Sequence, residues 1–110
     1  MAAKFEIYKD KANEFRFRLK AANGEKVLKS EGYKAKTGAQ NGIASVVKNA
    51  PDASRFEKKT STSDSPYFVL KAGNHEVIGT SETYSSTSAR DAGIEAVQRA
   101  AAAATTVDLA

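Results

Sequence analysis

The chain has 110 residues, one domain's worth, and its apolar fraction of 41% is inflated by twenty alanines, so that Leu, Ile, Val and Phe together number only twenty. The net charge of +4 and the absence of cysteine exclude disulfides and thiolate metal sites and argue for a folded domain with a thin core. No apolar run is long enough for a signal peptide or a membrane span, so a cytoplasmic location is expected.

"KFEIYKD" (4–10) opens the chain as a strand. "FRFRLKA" (15–21) alternates strictly, with Phe15, Phe17, Leu19 and Ala21 on one face and Arg16, Arg18 and Lys20 on the other, the pattern of a half-buried strand. Asn23-Gly24 predicts a type I′ hairpin turn, because both residues tolerate positive φ, and "KVLKS" (26–30) is the return strand. A helix follows: Thr37-x-x-Gln40 stands where a capping box belongs, and Ile43, Val46, Val47 and Ala50 recur at i, i+3, i+4, i+7. Pro51 closes it, and "SRFEKKT" (54–60) reads as a strand.

The second half repeats the first. Shifted by fifty-one residues, 15–50 and 66–101 align without a gap and share thirteen of thirty-six residues, and "KFE" (4–6) matches "RFE" (55–57) in the same register. "YFVLKA" (67–72) and "EVIGTS" (76–81) form the second hairpin, with His75 in the place of the turn glycine. Ser88-x-x-Asp91 is the second capping box, Ile94, Val97 and Ala101 carry the helical stripe, and "TTVDLA" (105–110) is the closing strand. Gly42 and Gly93 sit inside the two helices, which implies a repeated close approach of helix to sheet. The polar "STSDSP" (61–66) is the expected hinge or loop between the halves.

These elements predict an α+β fold: tandem β-β-β-α-β repeats, about 1–60 and about 61–110, forming a single pseudo-two-fold domain over 1–110. One antiparallel sheet carries two helices on one face, and a monomer is expected.

Ser30-Glu31-x-Tyr33 recurs as Ser81-Glu82-x-Tyr84 at the corner between strand and helix. The tyrosine rings are expected to pack there, the serines to bond turn backbone, and the glutamates to pair with neighbouring cations. Duplication preserves what folding needs, so the repeated motif reads as structural. The segments "FRFRLKAANGEKVLKSEGY", "NGIASVVKNA" and "YFVLKAGNHEVIGTSETYSS" resemble the YegP-like family of small uncharacterised bacterial proteins, along nearly the whole chain. The resemblance implies that the last strand of each motif is exchanged between the halves. It implies no activity, cofactor or catalytic residue.

Chemistry is sparse. The one histidine, His75, falls in a hairpin turn, and neither a Walker loop nor a GxGxxG occurs. No catalytic, cofactor or metal site is assigned, and an enzyme is not expected. Residues 1–51 carry eleven Lys/Arg against five Asp/Glu, whereas 52–110 carry six against eight. Arg16, Arg18 and Lys20 are therefore the candidate contacts for nucleic acid or another polyanion. The leading reading is a non-enzymatic structural or protein-interaction module, with polyanion binding through the basic first repeat as the alternative. A protein partner, but no membrane, fits that reading.

Overall fold

The computed structural model describes residues 3–110. Seven strands are β1 (Lys4–Lys9), β2 (Phe15–Lys20), β3 (Lys26–Lys29), β4 (Phe56–Thr60), β5 (Pro66–Lys71), β6 (Val77–Thr80) and β7 (Thr105–Asp108). Helix α1 spans Lys36–Asn49, helix α2 spans Thr87–Ala103, and a single 3₁₀ turn at Ala53–Arg55 leads into β4. The strands form one sheet in the order β4-β5-β6-β3-β2-β1-β7.

The halves join at β3 and β6, where Lys29 pairs with Thr80. These two are each other's counterparts in the repeat, so a pseudo-two-fold axis passes between them. The expected exchange is present: β4 follows α1 but pairs with β5, and β7 follows α2 but pairs with β1. Two points differ from the sequence reading. Two β-β-β-α-β units require eight strands; seven suffice because β4 ends the first unit and, in repeat register, also occupies the place that β1 holds in the other half. The sheet is also mixed, since β7 lies parallel to β1 while the other pairings are antiparallel. Because β7 is reached from β6 through α2, the long crossover that a parallel pairing needs is present.

All four hairpins turn alike. The N–H of Asn13, Gly24, Asp64 and His75 donates to the carbonyl of Asp10, Ala21, Ser61 and Ala72 respectively, and these four residues alone have positive φ among the described residues. This is a three-residue loop, a type I turn closed by one left-handed residue, rather than the type I′ turn expected at Asn23-Gly24. Residues 61–66, expected as a hinge or loop, are such a turn, locked between β4 and β5. Both inner hairpins also carry a β-bulge, so that Leu19 faces Leu28 while Lys20 faces Lys26, and Leu70 faces Gly79 while Lys71 faces Val77. The extra residue, Val27, turns inward beside Leu28, which is why alternation fails in β3.

Both helices cover one face, α1 over β2 and α2 over β5. Phe5, Phe17, Phe68, Ile7, Leu19, Leu28, Leu70, Val46 and Val97 are fully buried between the layers. Phe5 meets Phe17 edge to face at 6.1 Å, and their counterparts Phe56 and Phe68 do so at 5.6 Å. The helical stripe is shifted from the expected one: Ile43, Val46 and Ala50 are buried with Ala39, but Val47 is exposed. Neither capping box forms. Helix α1 starts after Ala35 with no side-chain cap, and α2 is capped by Ser86, whose Oγ accepts from the Ala89 N–H at 3.1 Å, so Thr37 and Ser88 already lie inside the first turn.

Candidate functional site

The Ser-Glu-x-Tyr corners are nearly identical. Ser30 Oγ accepts from the Phe17 N–H at 2.9 Å and donates to the Glu31 carbonyl at 2.8 Å. Ser81 Oγ accepts from the Phe68 N–H at 3.0 Å and donates to the Glu82 carbonyl at 2.7 Å. Each serine also donates its own N–H to the same phenylalanine carbonyl. The hydroxyl therefore replaces a backbone rung where the strand begins to peel away, and the buried phenylalanine amide stays satisfied. Both serines are buried and spend proton and lone pair on backbone, which leaves neither placed as a nucleophile.

Two residues on, Tyr33 exchanges both backbone bonds with Phe15. Tyr84 donates its N–H to the Pro66 carbonyl, and Pro66 has no N–H to return. The rings lie against the helices. A Cβ on Gly42 would fall 2.6 Å from Phe17 Cε2 and 2.9 Å from Tyr33 Oη, and one on Gly93 would fall 2.6 Å from Tyr84 Cζ. Gly42 and Gly93 thus recur because tyrosine recurs beneath them. Burial raises the pKa of both phenols, with Glu31 adding to it at Tyr33 and Glu82 at Tyr84. The glutamates do not form the ion pairs expected of them; both are exposed and neither has a cationic partner among the described residues.

The basic strand lies on the opposite, helix-free face, and its charges are matched within the molecule. Arg16 Nε donates to Asp10 at 2.5 Å and its Nη1 to the Ser30 carbonyl at 3.1 Å. Arg18 donates to Glu6 at 2.7 Å and lies over the Tyr8 ring, 4.4 Å from its centroid. Lys20 reaches the same Glu6 at 3.3 Å, and Lys4 does so at 3.5 Å. Sequence reasoning missed Glu6, although the shared "FE" of 5–6 and 56–57 marked the position. Its carboxyl is held down from the ordinary 4.5 to about 2, chiefly by the Arg18 hydrogen bond and then by Lys20, against the cost of burial. In the second half Glu57 has Lys71 and, at 3.9 Å, Lys59; Lys71 lowers its pKa as well. Val69 stands where Arg18 stood, and Tyr67 where Arg16 stood.

No group of acidic, histidine or cysteine side chains among the described residues could hold a metal ion, and no helix there is long and apolar enough to cross a membrane.

Such a molecule is a tandem-repeat α+β module, one layer of helices on a mixed sheet, whose repeated motif secures its own strand–helix corners. The chain belongs to the family described as a domain of unknown function, DUF1508, whose model matches it twice, over residues 10–57 and 61–108. It is 57% identical to the "UPF0339 protein in ptx operon 5'region" of Stutzerimonas stutzeri, over 99% of this chain and 98% of that one. It is 50% identical to the UPF0339 protein YegP of Escherichia coli, over 89% of each. The solution NMR structure of E. coli yegP, described as a protein of unknown function, superimposes with a TM-score of 0.93 at 47% identity, covering 99% of this chain and 94% of that one. A UPF0339 protein of Shewanella oneidensis gives 0.87 at 46%, with the same coverage.

Proposed function

We propose that the protein is a non-enzymatic interaction module whose helix-free sheet face meets another protein. The observation that supports this reading is the composition of that face. Tyr8 on β1 and Tyr67 on β5 are half-buried on it, and Val77, 43% exposed, stands on β6. Around them Lys4, Arg16, Arg18, Lys20 and Lys71 are already paired with Glu6, Asp10 and Glu57, while Lys26 and Lys29 of β3 stand exposed on the same face without an ion pair among the described residues. Tyrosine within a polar frame suits a protein partner better than a polyanion, which at Arg16, Arg18 and Lys20 would have to displace carboxylates from their cations.

The test is capture from lysate after nuclease treatment, with wild-type bait and a Tyr67→Ala/Val77→Ser variant. A discrete protein partner retained by the wild type and lost by the variant is the expected result. Capture abolished by nuclease, or capture indifferent to the variant, would reject this reading.

A further inference from the structure

The two halves differ most at their outer strands. On one side β7 lies along β1, with Lys4 to Ile7 facing Thr105 to Asp108. The Leu109 N–H donates to the Ile7 carbonyl at 2.8 Å and the Thr105 N–H to the Ala3 carbonyl at 3.4 Å. On the other side β4, the counterpart of β1, ends the sheet, and no strand among the described residues lies beyond it.

The vacancy has a defined geometry. Phe68 commits both its N–H and its C=O to Ser81, so Lys58, opposite Phe68, directs its own N–H and C=O away from β5. Those groups match the Ile7 groups that β7 uses. The Phe56 N–H is already taken by the Ala53 carbonyl of the 3₁₀ turn, so the free edge runs from the Phe56 carbonyl to Thr60. Between Ser54–Glu57 and the β5–β6 hairpin residues Lys71, Ala72 and His75 lies a cleft of about 330 Å³. Ser54 to Glu57 are the counterparts of Ala3 to Glu6, the residues along which β7 lies. Exposure records the difference: the Glu6 side chain is 6% exposed and that of Glu57 is 43% exposed.

We propose that the β4 edge is a strand-addition site, which takes an extended segment of a partner protein, parallel to β4, in the manner in which β1 takes β7. This deepens the interaction-module reading by placing one contact at the sheet edge. The segment is specified by the occupied half. A β-branched residue lies opposite Glu57, as Val107 lies opposite Glu6, and a carboxylate lies opposite Lys58, as Asp108 lies opposite Ile7. Charge supports the second choice, because Lys58 now stands where Ile7 is apolar, with only Asp91, 3.3 Å away, against it. Main-chain bonds supply affinity in such a complex, and alternate side chains supply register.

The probe is a synthetic peptide with this chain's own closing sequence, Ala-Thr-Thr-Val-Asp-Leu-Ala, titrated into the ¹⁵N-labelled full chain. Amide shifts centred on Lys58 and Thr60, with β1 and β7 unmoved, are expected. Lys58→Pro, which removes an outward N–H without breaking a β4–β5 rung, should weaken binding about tenfold. A peptide with Lys in place of Asp should lose a similar factor, and it tests register without altering the protein. Absence of shifts at millimolar peptide would overturn the proposal. So would shifts confined to β1 and β7, which mean exchange into the occupied slot, or affinity unchanged by both substitutions. Tyr67→Ala/Val77→Ser leaves the edge intact, so peptide binding by that variant separates failure of the edge from failure of the sheet face.

Discussion

Leu28 fills the space that a side chain on Gly79 would need. A Cβ at Gly79 would lie 2.6 Å from both Cγ and Cδ2 of Leu28. The two are counterparts fifty-one residues apart, beside the Lys29–Thr80 pair that marks the pseudo-two-fold axis. Near such an axis a side chain meets its own copy, so the duplicated sequence resolves the collision by being large on one side and absent on the other. Leu28 is 1% exposed and has nowhere to retreat. Gly79→Ala should therefore destabilise by about 1–3 kcal/mol in denaturant unfolding. With Leu28→Ala already in place, the same change should cost much less. Additive costs in the double-mutant cycle would show that the two do not compete for space.

Ser30→Ala and Ser81→Ala each strand a buried phenylalanine amide. A cost of about 1–3 kcal/mol is expected for each, while Glu31→Gln and Glu82→Gln, on exposed side chains, should stay within about 0.5 kcal/mol. Equal effects from serine and glutamate changes would contradict the corner geometry.

The Gly93 backbone rests on the Tyr84 ring, which also stacks on Phe68 at 6.2 Å. Gly93→Ala must push that ring aside, although alanine is the better helix former by about 1 kcal/mol. A net loss of thermal stability is expected, and a net gain would mean that the ring moves freely.

Acid should act through Glu6. Its folded pKa, about 2, lies below its ordinary value of 4.5. The stabilisation is therefore fully present above pH 4.5 and is lost as pH falls from there through about 2. Allowing for water around the lysines, the contribution is about 1–2 kcal/mol. Glu6→Gln should lower stability at pH 7 and flatten the acid limb of the stability profile; a limb of unchanged steepness would assign acid sensitivity to other carboxylates. Arg18→Ala should raise the Glu6 pKa, readable by NMR titration of its carboxyl carbon.

His75 adopts φ of +69° where its counterpart Gly24 has +85°. A left-handed conformation costs a residue with a Cβ roughly 1–2 kcal/mol, partly offset because glycine has more freedom to lose on folding. His75→Gly should raise stability by about 0.5 kcal/mol or more, and a loss would mean that the imidazole makes a compensating contact.

Much of this was legible in the residues. The alternation of Phe15, Phe17 and Leu19, the register of the repeat, and the glycines within both helices each report on near neighbours, and each led to the right element. The exact turn type, the start of each helix and the exposure of Val47 did not follow, because they depend on a single left-handed residue or on how a helix settles against its sheet. The basic strand read as free charge because sequence spacing cannot show that Asp10 and Glu6 face it across the sheet.

By itself, the sequence determined that one small unit is written twice and which segments are strands and which are helices, since side-chain period and turn chemistry are local properties of the chain. Only the tertiary structure decided where the symmetry fails. The segment after α1 must go on to begin the second copy, so it becomes β4 and leaves an open edge. The segment after α2 instead returns along β1 and satisfies its backbone.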